Sequence, residues 1–145
     1  MSEELHWRAL ERIYLQAPTN KYYQPAIRVG SGESEIRIAI RPDFHHAAHA
    51  VHGSVYFKML DDCGFFAANS LVRDVFVLTS SYTIHLLRPV AAGTLLARGK
   101  VLSASSRQFV AESHLYDDRE TLIAHGVGTF VRSRLDLSVS EGYSG

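Results

Sequence analysis

Residues Val55 to Leu71 restrict the possible folds of this chain more than any other stretch. Val55, Phe57, Met59, Leu60, Phe65, Phe66, Ala67 and Ala68 put apolar groups on almost every side of a seventeen-residue helix, about 25 Å long. A helix apolar on most sides must be enclosed by other structure, so the rest of the chain has to wrap it. Gly64 in its middle costs about 1 kcal/mol relative to Ala, and it can instead admit a close neighbour. Asp61 and Asp62 also lie near the middle. Carboxylates in so apolar a segment are costly unless paired, solvated or put to use. Just ahead of the helix come His45, His46, His49 and His52, then Gly53-Ser54. A helix that begins beside His52-Gly53 offers free backbone N–H groups and the positive end of its dipole. A carboxylate and an array of N–H donors brought to one substrate is hydrolytic equipment.

The flanking segments read as a wrapping for this helix. Glu3 to Gln16 reads as an amphipathic helix with Leu5, Leu10, Ile13 and Tyr14 on one face, ended by Pro18. Thr19 to Pro25 is turn-like and aromatic. Ala26 to Val29 reads as a short strand stopped by Gly30-Ser31-Gly32. Ile36, Ile38 and Ile40 alternate with Glu35, Arg37 and Arg41, as in a strand with one buried and one wet face. After the helix, strands are expected over Val75 to Leu87, Thr94 to Leu102, Phe109 to Tyr116 and Thr121 to Val131. Arg88-Pro89, Ser103 to Arg107 and Asp117-Asp118 separate them. Short turns between consecutive strands imply an antiparallel meander. The expected fold class is α+β, a sheet wrapped around the long helix. The expected organisation is an N-terminal helix and linker over 1–24, one domain over 25–134 and a loose Ser/Gly-rich tail over 135–145.

Bulk properties narrow the function. A chain of 145 residues suits one domain with a sizeable core. Lys plus Arg and Asp plus Glu balance at 15 each, which gives no support to a nucleic-acid or membrane-surface partner. The sole cysteine, Cys63, excludes an internal disulfide framework and a Cys-rich zinc site. On a buried helix it reads as a small core residue. Met1 to Pro18 is charged and amphipathic rather than signal-like, and no apolar run reaches the length of a membrane span. The expected location is cytoplasmic. His45, His49 and His52 would share a face if helical, but Pro42 and the Gly53 helix start place them in a loop. No HExxH pattern accompanies them, so they read as a polar rim rather than a metal cluster. Ser54 and Ser70 lack the G-x-S-x-G context of a nucleophile elbow.

His52-Gly53-Ser54, Leu60-Asp61 on the long helix, Leu87-Arg88-Pro89 and Gly126-Val127-Gly128-Thr129-Phe130 occur in this order. Together they resemble the hotdog-fold acyl-CoA thioesterases, in the branch of the phenylacetic-acid-pathway and 4-hydroxybenzoyl-CoA enzymes. The resemblance covers residues 25 to 132. It implies a sheet wrapped on the helix, subunits paired edge to edge as a homodimer or dimer of dimers, and sites at the subunit interface. It implies that the Gly53 N–H polarises the thioester oxygen and that Asp61 of the partner is nucleophile or general base. Thr79 falls where some members orient water. His52 shapes the helix start. His46 stands where many members have Asn or Gln and would position water or the carbonyl. Ser54 replaces a common second glycine and, with Asp62 and Tyr82, would border the substrate. Arg107 and Arg132, with Arg134, could hold coenzyme A phosphates, although a solvated surface role suits any one of them. Phe65, Phe66 and Tyr82 would set the size of the acyl pocket. The implied reaction is hydrolysis of an acyl-CoA to a carboxylic acid and coenzyme A, with no metal or redox cofactor. The alternatives are a non-catalytic acyl-CoA sensor and an enoyl-thioester dehydratase or hydratase pairing His46 or His52 with Asp61.

Overall fold

The computed structural model describes residues 1–143. In chain order the elements are α1 (Glu3–Gln16), α2 (Asn20–Tyr23), β1 (Ala26–Gly30), β2 (Glu33–Ala39), α3 (Gly53–Asn69), β3 (Val75–Leu86), β4 (Thr94–Ala104), β5 (Gln108–Tyr116) and β6 (Leu122–Asp136). The six strands form one antiparallel sheet in the order β1-β2-β4-β5-β6-β3, and α3 packs across it. This is the α+β hotdog architecture.

The meander expectation holds only for β4, β5 and β6. β3 does not pair with β4. It runs to the far edge and pairs with β6, from Val75 opposite Asp136 to Leu86 opposite Ala124. The reason is occupancy, because β2 and β5 take both sides of β4. A strand leaving the end of α3 therefore cannot join β4, and it pairs with the open side of β6. Segment Thr19 to Pro25 likewise contains a single helical turn, α2.

The core lies between α3 and the concave face of the sheet. Met59, Leu60, Cys63 and Ala67 are fully buried there with Ile36, Ile38, Leu95, Ala97 and Leu115. Helix and sheet approach closely because side chains are missing where they meet. A Cβ on Gly64 would lie 3.1 Å from the Phe130 ring, and one on Gly99 would lie 3.0 Å from the Cys63 carbonyl. The helix is not enclosed on every side, however. Phe57 is exposed, with its ring edge-on to Tyr82 at 5.5 Å.

The N-terminal helix packs over the end of α3. Ser2 caps it by accepting from the Leu5 N–H at 3.2 Å, and Leu10, Ile13 and Tyr14 face inward as expected. Leu5 does not, since it is exposed and His6 is buried in its place. The face meets polar groups there, and the His6 ring is 2.9 Å from the Asn69 carbonyl oxygen and 2.8 Å from the Tyr143 hydroxyl. The expected loose tail also needs correction. Leu137 is buried, with its N–H bonded to the Asp74 carbonyl at 3.0 Å, and the turn at Glu141–Tyr143 packs back on α1. An apolar Leu and a Tyr that bonds a buried His anchor a segment that composition alone marks as loose. Residues 144 and 145 of that tail lie outside the described residues.

Candidate active site

The N-terminus of α3 is built by the chain crossing over itself. The loop after β2 returns through a His45–Val51 bridge, and the Val51 N–H donates to the Val90 carbonyl at 2.9 Å. The His45 ring meets the Ala91 carbonyl at 2.8 Å. His46 Nδ1 accepts from the Ala48 N–H at 3.0 Å, and the His46 and His52 rings stand 6.5 Å apart. His52 is the N-cap. Its Nδ1 accepts from the Ser54 N–H at 3.0 Å and lies 2.8 Å from Ser54 Oγ. Those bonds place Ser54 in the cap, on the exposed surface. The Ser54 N–H is thereby satisfied. The Gly53 N–H has no acceptor among the described residues and sits at the positive end of a four-turn helix.

Asp61 lies eight residues further along α3. Thr79 of β3 donates its hydroxyl to Asp61 Oδ1 at 2.8 Å. Burial is the largest influence on Asp61 and pushes its carboxyl up to about 6. The Thr79 bond and Lys58 act in the opposite direction, and Asp62 adds to the rise. A carboxyl so placed exchanges its proton near neutral pH. Beside it opens a chamber of about 410 Å³ between α1, α3 and β3, with Phe65, Phe66, Phe76 and Leu78 as apolar walls. A larger concavity of about 710 Å³, beside α1 and the charged side of β2, β4 and β5, holds none of the expected site residues.

Asp62 borders the same chamber but is engaged otherwise. Its Oδ2 accepts from Tyr14 Oη at 2.7 Å and from Lys58 Nζ at 2.8 Å. Tyr14 and Lys58 are the residues that sequence reasoning passed over. The i, i+4 spacing of Lys58 and Asp62 was a usable signal, whereas the Tyr14 contact spans 48 residues and had none. Phe65 and Phe66 line the chamber, whereas Tyr82 does not. Its ring lies across Gly126 and Gly128 of β6 and its hydroxyl is buried toward Ser113. Glycines at those positions leave the only room for the ring. Arg132 is ion-paired with Asp74 at 2.8 Å, and Arg107 is exposed on the β4–β5 turn. Among the described residues, no three His, Cys, Asp or Glu side chains are disposed to hold one metal ion.

Along a helix, eight residues span about 12 Å. One chain's Gly53 N–H and its own Asp61 therefore cannot both contact the same carbonyl group. The Gly53 N–H lies at the start of α3 and Asp61 at its middle.

Residues 48–124, more than half of the chain, match the sequence family described as the thioesterase superfamily. The fold is similar to that of the Escherichia coli PaaI protein from the phenylacetic acid degradation operon. That similarity has a TM-score of 0.84 at 20% identity and covers 92% of this chain and 97% of that one. A Haemophilus influenzae thioesterase superposes with a TM-score of 0.76 at 16% identity over 83% and 85% of the two chains. In sequence, the chain is 25% identical to a Saccharolobus solfataricus protein provisionally named an esterase. The match runs over 104 residues, 72% of this chain and 69% of that one. The class is thus a hotdog-fold hydrolase of thioesters. The chain belongs to the thioesterase superfamily. No helix among the described residues is long and apolar enough to cross a membrane.

Proposed function

We propose that this enzyme hydrolyses an acyl-coenzyme A thioester to a free carboxylic acid and coenzyme A, at sites each formed by two copies of the chain. The observation that carries this reading is the separation of an unengaged Gly53 N–H from the part-buried, Thr79-bonded Asp61 along one helix. Two copies related by a two-fold axis would bring the Gly53 end of one helix to the middle of the other, where Asp61 lies. The thioester oxygen would accept from the Gly53 N–H, and the helix dipole would stabilise the negative charge that develops on it. Ionised Asp61, oriented by Thr79, would act as general base toward water or attack the carbonyl carbon directly. With Asp61 as base, it takes a proton from the attacking water, the C–S bond breaks and that proton passes to the leaving thiolate. With Asp61 as nucleophile, the C–S bond breaks to leave a mixed anhydride on Asp61, which water hydrolyses to the free acid, and the thiolate takes up the proton that water gives up. His52 and Ser54 hold the helix start. His46 borders it and would position water or the carbonyl. The acyl group would enter the chamber walled by Phe65, Phe66 and Phe76. Arg107 and Arg132 are candidates for the coenzyme A phosphates. We place the enzyme in the cytoplasm as a homodimer or dimer of dimers.

Thiol release from short, medium, long and aryl acyl-CoAs tests this reading, with wild type compared to Asp61→Asn. The expected result is turnover by wild type and loss of at least about a hundredfold in a folded Asp61→Asn variant. Because Asp61 must be ionised, kcat/KM should rise with pH through about 6 and fall away below it. Binding of acyl-CoA without thiol release would point to a sensor. Loss of enoyl absorbance without thiol release would point to a hydratase.

A further inference from the structure

Asp62 is the carboxylate of the chamber that the reaction leaves unused, and the fold invests three side chains in it. Tyr14 Oη donates to its Oδ2 at 2.7 Å, and Lys58 Nζ donates to the same oxygen at 2.8 Å. Lys58 is itself held over the rings of Tyr14 and Tyr23, at 5.4 Å and 4.6 Å from their centroids. An ammonium over two aromatic faces has restricted freedom, so the charge of Asp62 is fixed in place. Successive helix positions point about 100° apart, and Asp61 and Asp62 nonetheless border one chamber.

We propose that Asp62, gripped by Tyr14 and Lys58, is a positioning residue whose fixed charge sets the pH range over which Asp61 can work. This rests on the reading of Asp61 as base or nucleophile. A neighbouring like charge disfavours ionisation and an opposite charge favours it, most strongly where water is partly excluded. The groups that face Asp61 are few. Thr79 and Tyr82 approach from β3, Tyr14 from α1, and Lys58 and Asp62 from α3 itself. Thr79, Tyr14 and Tyr82 are uncharged near neutrality, so the balance lies between Asp62 and Lys58. Tyr14 and Tyr23, which hold that pair, lie in the N-terminal segment, outside the residues 48–124 that match the family. The charged pair itself lies inside that region, and the two rings that hold it are supplied from outside it.

The test compares full-length wild type, Asp62→Asn and Lys58→Met. Two quantities are read, the acid limb of kcat/KM against pH and the carbon-13 NMR titration of the Asp61 carboxyl. Removing the negative charge in Asp62→Asn should move both to lower pH by about half a unit or more. Removing the ammonium in Lys58→Met should move both to higher pH by a similar amount. The opposite signs separate tuning from damage, because a merely structural role would lower Tm or kcat at all pH values and leave the limb in place. That result would overturn the proposal. If Asp62→Asn does not fold, the upward shift in Lys58→Met decides alone. A shifted NMR titration with an unmoved rate limb would uphold the coupling and overturn the role of Asp61 in the rate.

Discussion

At the scale of single residues, the backbone of Gly53 is as testable as any side chain. Gly53 is the first residue of α3, and proline is well tolerated at that position. His52 before it is already extended, with ψ of 142°, as a residue preceding proline must be. Gly53→Pro therefore deletes one N–H while keeping the helix start. On the proposed mechanism kcat should fall by about a hundred- to a thousandfold, with Tm and far-UV circular dichroism close to wild type. Near-normal kcat in a folded variant would remove the backbone donor from the mechanism. The same logic explains why Asp61 is held at a cost. Burial that raises its carboxyl to about 6 penalises ionisation in the folded state, and that penalty grows as pH rises above the ordinary carboxyl range and is complete once pH exceeds about 6.

Among the elements, the β3–β6 pair carries the shape of the site. Thr79 stands opposite Phe130, and Tyr82 stands opposite Gly128. The register therefore decides that Thr79 reaches Asp61 while Tyr82 is packed away. A Cβ on Gly128 would lie 2.5 Å from Tyr82 Cδ2, and one on Gly126 would lie 2.3 Å from Cε1. Gly128→Ala should therefore cost about 1–3 kcal/mol in urea denaturation. In Tyr82→Leu the same substitution should cost less, giving a coupling of at least about 0.5 kcal/mol. Additive losses would mean that the ring does not depend on these glycines.

For the whole molecule, one face remains without a partner. β3 is a twelve-residue edge strand with only β6 beside it. Phe57, Leu78 and Leu86 lie exposed on or near it, at 41%, 47% and 54%. Long open edges carrying apolar groups are normally covered, which supports pairing of two copies along this side. Shared sites make a sharp prediction for mixed dimers. Asp61→Asn and Gly53→Pro are each inactive in a homodimer on the proposed mechanism. Co-expressed, they should form hybrids with one doubly impaired site and one intact site, recovering roughly a quarter of wild-type activity. No recovery, with hybrids demonstrated by native mass spectrometry, would mean that each chain builds its own site.

Local patterns settled much of this protein in advance. The apolar length of α3, the alternation around Ile36 and Ile38 and the turns after Leu87, Ser103 and Asp117 are all short-range signals, and each produced its element within a few residues of the observed limits. Asp61 stood out because a carboxylate in such a helix demands a reason. Tertiary structure alone decided the rest. It sent β3 to the outer side of β6, buried His6 instead of Leu5, buried Leu137, folded Tyr143 back on α1 and gave Asp62 to Tyr14. Those outcomes depend on contacts between residues tens of positions apart and on which strand edge is still free when a strand arrives. A sequence pattern with periods of two or 3.6 residues carries no information on either.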